Sequence, residues 1–382
     1  MKKDLDVLMQ SHQIDALLIT GPAQHNPAMY YMTGGAHLTH ADLLKKRGAD
    51  PLLFYNPMER DEAAQTGLPT KSFADYRFDE LLKQANGNVL QATVSRYQRM
   101  LADQGITSGR VAIYGRVVVG GAYVIFSELQ RRLGELNDSL LLEAMMTKDE
   151  AEVARIRRMG QITVEVVGQV ADFLTHHQAR QGFLAKPDGN PLIVGDVKNQ
   201  INLWLAERGA ENPEGTIFAI GRDAGVPHSS GAATDVLRLG QTIIFDIFPC
   251  EAGGGYFYDL TRTWCLVYAT DEALALYESV LAVYHQIISE LKTGAPFRDF
   301  QKRACDLFEA QGHPTIQSDP QTLEGYVHSL GHGVGLHIHE RPSSGRTATE
   351  ADCLFPGVVA SIEPGLYYPE RGHGLGPPRW NV

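Results

Sequence analysis

The stretch Gly331-His332-Gly333-Val334-Gly335-Leu336-His337-Ile338-His339-Glu340-Arg341-Pro342 is the segment around which the chain is organised. Histidines flank its glycines, and a further histidine, His328, lies four residues before His332. Glycine lets another group approach the backbone closely, and we expect that group here to be a ligand. The alternative is a glycine-rich hairpin that carries surface histidines, of which His337 would be one.

The composition bounds the class of protein. At 382 residues, 43% of them hydrophobic, the chain is long enough for two domains with sizeable cores. A net charge of −11 argues against nucleic acid as a partner, because phosphate binding needs a basic face. The four cysteines form no C-x-x-C pair, which favours reduced thiols. We find neither a signal-peptide pattern nor an apolar run of about 18 residues. We therefore expect a cytoplasmic protein with no membrane partner.

The first third predicts a small α/β domain, which we place at residues 1–143. Short apolar runs predict strands at 14–20, 51–55 and 111–114, and apolar residues at helical spacing predict a helix at 122–133. We expect a loop at 30–35, and a last strand or a connector at 140–142. Five polar residues show no ligand spacing and are interpreted as part of a solvated loop: His37, His40, Asp42, Arg60 and Asp61.

A second domain, placed at residues 144–382, begins with a long helix. The sequence Thr147-Lys148-Asp149-Glu150 is typical of a capping box, and apolar residues then recur every three or four positions to about Val170. The same periodicity predicts three further helices, at 194–208, 270–292 and 297–311.

Acidic residues interrupt the apolar strands expected in this domain. Asp246 lies in the run 242–248, Asp259 lies in the run 256–268, and the run 358–362 leads into Glu363. A carboxylate in such a strand is costly unless it pairs, for example with Arg262, or binds a cation. Asp246 and Asp259 are 13 residues apart with glycines between them, which allows an antiparallel hairpin with both side chains on one face.

These carboxylates and a histidine of the central stretch form a ligand set that is rich in oxygen. Such a set prefers Mn²⁺, Fe²⁺, Co²⁺ or Zn²⁺, and two cations could share the carboxylates. Paired metals would generate a hydroxide nucleophile and polarise a carbonyl or phosphoryl group.

The chain resembles the metallopeptidases of the pita-bread fold, which include aminopeptidase P, prolidase and methionine aminopeptidase. The resemblance covers the catalytic half, from Thr147 to about Gly376, and the N-terminal third resembles the creatinase/prolidase domain of the Xaa-Pro branch. Its motifs are Val226-Pro227-His228, Phe245-Asp246, Asp259-Leu260-Thr261-Arg262-Thr263, His328 with Gly331-His332-Gly333 and Gly335, His339-Glu340 with Pro342, and Ile362-Glu363-Pro364-Gly365.

The resemblance implies an α+β fold, in which a curved antiparallel sheet covered by helices follows a smaller α/β domain. It also implies hydrolysis of the Xaa-Pro bond by a metal-bridging hydroxide, with two divalent cations, often Mn or Co, and a homodimer. The implied metal ligands are Asp246, Asp259, His332 and Glu363. Glu363 doubles as a proton shuttle, and the residues that line the substrate cleft are His228, His328 and His339.

One position departs from the family pattern. Arg379 falls on the family's arginine, so Asn381 falls where a second glutamate ligand is expected. A carboxamide cannot bridge two cations as a carboxylate does, and the two prolines before Arg379 suit a strand poorly. We expect the second metal to be weak or missing, through a frameshift or natural divergence. Two alternatives follow: a catalytically silent relative that binds peptides, and a C–N hydrolase similar to creatinase.

Overall fold

The computed structural model describes residues 4–133 and 140–376, which divide into two compact units. The first comprises Met1–Met145 with Gly253–Gly255, and the second comprises Met146–Ala252 with Tyr256–Val382. The boundary expected between residues 143 and 144 remains a prediction.

A mixed sheet of five strands forms the centre of the first unit, in the order β4-β3-β2-β1-β5. β1 pairs antiparallel with β2 and parallel with β5, and buried apolar side chains of the sheet pack against the helices. The strands are β1 (Ala16–Gly21), β2 (Ala41–Lys46), β3 (Leu52–Tyr55), β4 (Thr70–Ser72) and β5 (Val111–Gly115). The helices are α1 (Leu5–Ser11), α2 (Pro27–Thr33), α3 (Arg60–Gln65), α4 (Phe78–Gln84), α5 (Val89–Asp103), α6 (Val119–Leu133) and α7 (Leu140–Met146).

Two elements of this unit differ from the sequence-based expectation. The segment expected as a loop at 30–35 belongs mostly to α2, which Asn26 caps and which ends at Gly34 with a φ of 76°. The segment expected as a strand or connector at 140–142 is the start of α7. Both helices have only 7 residues, too short to display a clear helical period in the sequence.

Asp42 does not lie in a solvated loop, contrary to the sequence-based expectation. It lies in β2, and its side chain is fully buried. The Tyr97 hydroxyl donates to Asp42 Oδ1 at 2.9 Å, and Arg96 Nη2 lies 3.5 Å from Oδ2. Burial raises the pKa of Tyr97, so its hydroxyl keeps the proton that it donates. A buried carboxylate therefore ties β2 to α5 inside the first unit.

We predict that Tyr97→Phe lowers the free energy of unfolding by about 1–3 kcal/mol, because it leaves a buried carboxylate short of a donor. The matched control is Tyr123→Phe, whose side chain is 74% exposed and whose loss should change stability by less than about 0.5 kcal/mol. Urea denaturation followed by circular dichroism measures both values. Equal effects of the two substitutions would contradict this account of Asp42.

The second unit is built from antiparallel strand pairs and four long helices. The strands are β6 (Gln178–Arg180), β7 (Phe183–Ala185), β8 (Ala210–Glu211), β9 (Thr216–Ile220), β10 (Thr242–Ile247), β11 (Cys250–Glu251), β12 (Leu260–Cys265), β13 (His332–Gly333), β14 (Glu340–Ser343), β15 (Leu366–Tyr368) and β16 (His373–Leu375). The helices are α8 (Glu150–Thr175), α9 (Val194–Glu207), α10 (Asp271–Glu290) and α11 (Phe297–Ala310). β10 lies between β9 and β12 in a three-stranded sheet.

The four helices confirm the helices predicted from the apolar periodicity, and most of their ends lie within one or two residues of the predicted ends. The capping box of α8 differs in register: the Asp149 side chain accepts from the Glu152 backbone, and Glu152 caps Asp149 in return. The box therefore begins two residues later than the expected Thr147, because Asp is as good an N-cap as Thr.

The acidic strands are shorter than expected. Asp259 precedes β12 by one residue and does not lie in the middle of a strand. The run 358–362 forms isolated bridges, between Val358 and Thr147 and between Ala360 and Gly333, and is not a regular strand. Apolar composition predicted the extended backbone correctly, but it cannot predict where regular pairing stops.

None of the helices in the part of the chain that the structure describes is long and apolar enough to cross a membrane. The four cysteines are free thiols, and three of them are buried.

Candidate active site

The pairing of β10 with β12 brings the two aspartates to one face of the sheet. Asp246 is opposite Thr261, and Asp259 lies two residues before Thr261 on the same strand path. Side chains alternate between the two faces of a strand, so all three project to the same side. The Thr261 hydroxyl donates to Asp246 Oδ1 at 2.6 Å. The predicted hairpin with both carboxylates on one face is therefore confirmed.

Arg262 does not share this face. It is opposite Phe245 in the register, one residue out of step with Asp246, and its Nη1 donates to the Thr261 carbonyl at 2.8 Å. Pairing of Asp246 with Arg262 across the strand is disfavoured by the alternation of side chains.

The glycines of the central stretch admit other parts of the same chain. A Cβ on Gly331 would lie 1.9 Å from the Ser361 carbonyl oxygen, and one on Gly333 would lie 2.1 Å from the Arg341 carbonyl oxygen. The expectation that a ligand is the group approaching these glycines is therefore wrong at both positions. The absence of side chains at these two glycines instead lets the segment pack between its two neighbours, which positions His332.

The turn after His332 is held by a buried ion pair. Lys148 Nζ lies 2.7 Å from Glu340 Oε2, and both side chains are only 1% exposed. The backbone N–H of His337 donates to Glu340 Oε1 at 3.1 Å. A Cβ on Gly335 would lie 2.4 Å from the same carboxylate, so a side chain there would displace Glu340 from its ion pair. These contacts hold Glu340, the residue that follows His339.

We predict that Gly331→Ala destabilises the protein by roughly 3 kcal/mol or more, because the new methyl group meets a backbone oxygen that cannot move aside. Gly168→Ala in α8 is the matched control, since nothing lies within 4 Å of its Cβ position. That change should stabilise the helix by about 0.5–1 kcal/mol. Thermal and chemical denaturation of both variants measures the difference, and a Gly331→Ala protein as stable as the unmodified chain would refute the close-packing argument.

Three potential ligand atoms converge where the central stretch meets the strands. Metal-binding atoms of Asp259, His332 and Glu363 all lie within 4.8 Å of one another. His332 Nε2 is 3.0 Å from Glu363 Oε1 and 3.6 Å from Asp259 Oδ2. Backbone hydrogen bonds join the segment of His332 to the segment of Glu363. The Ser361 N–H donates to the His332 carbonyl at 2.8 Å, and the Glu363 N–H donates to the Leu330 carbonyl at 2.7 Å.

The tautomer of His332 can be inferred from its contacts. Its Nδ1 lies 3.0 Å from the Gly333 carbonyl oxygen, which can only accept a hydrogen bond. Nδ1 therefore carries the proton, and in a neutral ring Nε2 presents a lone pair towards the two carboxylates. This arrangement, with one ring nitrogen bound to the backbone and the other directed at carboxylates, is typical of histidine ligands.

The residues fit a divalent cation on the chemistry of their donors. With a neutral His332 ring, its lone pair and the oxygens of Asp259 and Glu363 face one another, which suits a cation between them, and the three side chains are at most 15% exposed. Nitrogen with carboxylate oxygen is a donor set for Mn, Fe, Co or Zn. The family-implied metal is therefore compatible with these three residues.

A cavity of about 500 Å³ opens onto this cluster. It is lined by Asp246, Asp259, His332 and Glu363 and also by His228 and His339. The rings of His332 and His339 meet edge to face, with centroids 4.3 Å apart. Burial lowers the pKa of His339, and the adjacent His332 lowers it further. Because an ordinary histidine has a pKa near 6.5, His339 is neutral at about pH 7 and can donate a hydrogen bond.

Other expected site residues lie apart from the three-residue cluster. Asp246 lines the same cavity but is not in the group whose ligand atoms converge. His328 packs between the rings of Tyr326 and Tyr367 and is not among the lining residues. Asn381, with Pro377, Pro378, Arg379, Trp380 and Val382, lies outside the described residues, so the expectation about the second glutamate ligand stays a prediction.

Sequence reasoning missed the hydroxyls that orient the ligands. Ser361 Oγ donates to Glu363 Oε1 at 2.9 Å and accepts from the His332 backbone N–H at 3.2 Å. Thr261 likewise donates to Asp246. Ser361 lies two positions before Glu363, and Thr261 lies two positions after Asp259. On extended backbone, residues two positions apart project to the same side. This spacing was the signal that could have found them.

Comparison with known protein families gives two matches. The description "Metallopeptidase family M24" applies to residues 154–377, and "Creatinase/Prolidase N-terminal domain" applies to residues 2–143. Among curated proteins, a relative from Pyrococcus horikoshii named Xaa-Pro dipeptidase is 24% identical over 97% of this chain and 90% of its own.

Solved structures resemble the whole chain. The prolidase from Pyrococcus horikoshii has a TM-score of 0.72 at 21% identity and covers 100% of this chain and 94% of its own. The X-Pro aminopeptidase from Thermotoga maritima also has a TM-score of 0.72 at 21% identity, with coverage of 96% and 92%. At this identity the likeness shows the fold alone, and it confirms the predicted architecture of an N-terminal domain followed by a pita-bread catalytic domain.

Proposed function

The chain belongs to metallopeptidase family M24, and on that premise we propose that it hydrolyses the peptide bond before proline in Xaa-Pro substrates. The observation that carries the proposal is the convergence of Asp259, His332 and Glu363 at the end of a cavity large enough for a dipeptide. The proposed ligands are these three residues together with Asp246. Their neutral and anionic donors suit a divalent cation, for which Mn²⁺ is our first choice.

The preference for proline is supported by names of relatives and by domain content. Family M24 marks a metallopeptidase, and the relative that matches nearly the whole chain is named Xaa-Pro dipeptidase. The N-terminal domain of the creatinase/prolidase type accompanies the catalytic domain here, and the prolidase structure covers both. A dipeptidase and an aminopeptidase both occur among these neighbours, so the length of the substrate is left open in the proposal.

A divalent cation bound at the cluster would activate water and polarise the scissile carbonyl. The side chains of this protein would supply the remaining functions. Glu363, held by the Ser361 hydroxyl at 2.9 Å, is positioned to accept a proton at its second carboxylate oxygen and to pass it to the leaving proline nitrogen. His339, neutral because its pKa is lowered by burial, would donate a hydrogen bond to the oxygen that becomes negative.

His228 lines the same cavity, and it is one of the groups that lower the pKa of His339. We propose that His228 hydrogen-bonds the substrate backbone, and that His328 acts indirectly, by packing against the ring of Tyr367. A homodimer, which the resemblance implies, and a cytoplasmic location, which the composition predicts, remain parts of the proposal.

We predict that Glu363→Gln lowers kcat/KM for Xaa-Pro dipeptides by about 100-fold or more, because metal and proton transfer each contribute several kcal/mol. Glu370→Gln is the matched control: this carboxylate is 76% exposed, pairs with Arg222 and should be dispensable. Cleavage of Ala-Pro to alanine and proline, and of Ala-Pro-Ala to alanine and Pro-Ala, each with and without Mn²⁺, measures the effect.

The same assay distinguishes the alternatives. Turnover of creatine without turnover of Xaa-Pro peptides would indicate a C–N hydrolase. Absence of any turnover by the unmodified chain at saturating Mn²⁺ would indicate a peptide-binding relative and would overturn the proposed activity.

The metal count provides an independent prediction. Because Asn381 offers a carboxamide where a second bridging glutamate is expected, we predict one tightly held Mn²⁺ per chain after equilibration and desalting. Asn381→Glu should raise the count towards two, since a carboxylate can bridge. Elemental analysis measures both proteins, and two tightly held ions in the unmodified chain would contradict the prediction.

A further inference from the structure

Besides the proposed metal ligands and the histidines, the cavity is lined by polar residues that the proposed chemistry does not use, and we call these the polar wall. Lys198 and Asn202 contribute to it from α9, and Asn212 and Glu214 contribute from the segment between β8 and β9. A purely apolar pocket would suit a hydrophobic substrate residue, whereas this wall carries charges and carboxamides. The wall therefore indicates a substrate with a polar or charged group.

Lys198 has no acidic partner in the described portions, 4–133 and 140–376. Its Nζ donates to the Ser230 backbone carbonyl, which is a neutral acceptor. Lys186, in the same unit, instead lies 3.1 Å from the Asp196 carboxylate. Partial burial lowers the pKa of Lys198, as it does for a lysine that lacks a compensating carboxylate.

An ammonium group offers three donors, and the Ser230 carbonyl takes one of them. Lys198 is also the sole lysine or arginine among the described residues that line the cavity. A partly desolvated cation with spare donors, on the wall of a cavity, is suited to binding an anion.

The other charged groups that line the cavity are carboxylates, which favour binding of that anion at Lys198. Asp259 and Glu363 belong to the three-residue cluster, Asp246 lines the same cavity, and Glu214 adds a carboxylate to the wall that carries Lys198. These groups repel a substrate carboxylate unless cations neutralise them, and the cation at the reacting bond is needed for the carbonyl. Among the described lining residues, Lys198 is the lysine or arginine that offers a positive charge to a second carboxylate of a substrate.

We propose that Lys198 binds a carboxylate of the substrate and thereby selects for peptides that carry one within reach of the scissile bond. This inference rests on the proposed peptidase function. The carboxylate has two sources in such substrates: the side chain of an acidic Xaa residue, or the terminal carboxylate of an Xaa-Pro dipeptide.

A neighbouring group supports a polar ligand at this wall. Asn212 Nδ2 donates to Asn202 Oδ1 at 3.2 Å and to Thr216 Oγ1 at 2.7 Å. Its Oδ1 is buried, and within the described residues it has no hydrogen-bond partner. A buried acceptor of this kind is costly unless a donor reaches it. The wall thus combines a cationic donor with an unsatisfied buried acceptor, which suits a polar ligand better than an apolar one.

The test uses Lys198→Met, which keeps the apolar stem and removes the charge, and Lys198→Arg, which keeps the charge. Lys186→Met is the matched control, because Lys186 is similarly half-buried but does not line the cavity. The substrates are Glu-Pro, Gln-Pro and the C-terminal amide of Gln-Pro. Each comparison changes one carboxylate and leaves the size of the peptide almost unchanged.

If Lys198 binds the acidic side chain, Lys198→Met lowers the ratio of kcat/KM for Glu-Pro over Gln-Pro by about 10- to 100-fold, the usual range for a charged hydrogen bond. If it binds the terminal carboxylate, the ratio for Gln-Pro over its amide falls by the same factor. Lys198→Arg and Lys186→Met should preserve both ratios. A Lys198→Met protein that keeps both ratios overturns the proposal.

Dissociation constants of the same peptides, measured by calorimetry, separate this inference from the proposed function. If the unmodified protein binds the peptides without hydrolysing them, the peptidase proposal fails, and the two affinity ratios still decide the role of Lys198. If the unmodified protein binds none of the peptides, both proposals are overturned. If Lys198→Met does not fold, Lys198→Gln, which also removes the charge, takes its place, and a Lys198→Gln protein that keeps both ratios overturns the proposal.

Discussion

The site depends on the electrostatic conflict between acceptor atoms that are held close together away from water. When the His332 ring is neutral, its Nε2 presents a lone pair to Glu363 Oε1 at 3.0 Å, and Asp259 Oδ2 lies 3.6 Å away. Three acceptors at such distances repel one another unless a cation lies among them. In a metallopeptidase, folding holds these carboxylates close together despite their repulsion. A bound cation relieves that repulsion, which contributes to the affinity for the metal.

The backbone of the central stretch makes the convergence possible. Gly331 and Gly333 are pressed against carbonyl oxygens of neighbouring segments, and any side chain there would push those segments apart. Ser361 then serves two segments at once, because it accepts from the His332 backbone and donates to Glu363. A buried ion pair between Lys148 and Glu340 fixes the turn that follows. Packing, hydrogen bonding and charge thus act on the same few residues.

Much of this arrangement was predictable from the sequence, and the reasons why the rest was not are physical. Carboxylates in apolar runs identified Asp246 and Asp259, because a charge buried in a strand is costly unless a partner or a cation stabilises it. Glycines predicted close approach at Gly331, but the sequence cannot tell whether a ligand or the chain itself approaches. Lys198 gave no signal at all, since a lysine on an amphipathic helix is normally solvated and only the tertiary structure places it on a cavity wall. The expectation for Asp42 was wrong because a single carboxylate in a short strand has no periodic context.

The most direct test of the central claim is anomalous diffraction from crystals of the protein grown with Mn²⁺. The account predicts an anomalous peak within about 2.0–2.3 Å of His332 Nε2 and of carboxylate oxygens of Asp259 and Glu363, the usual range for first-row metals with these ligands. Full-occupancy Mn²⁺ elsewhere on the chain, with no peak at these three residues, would contradict it.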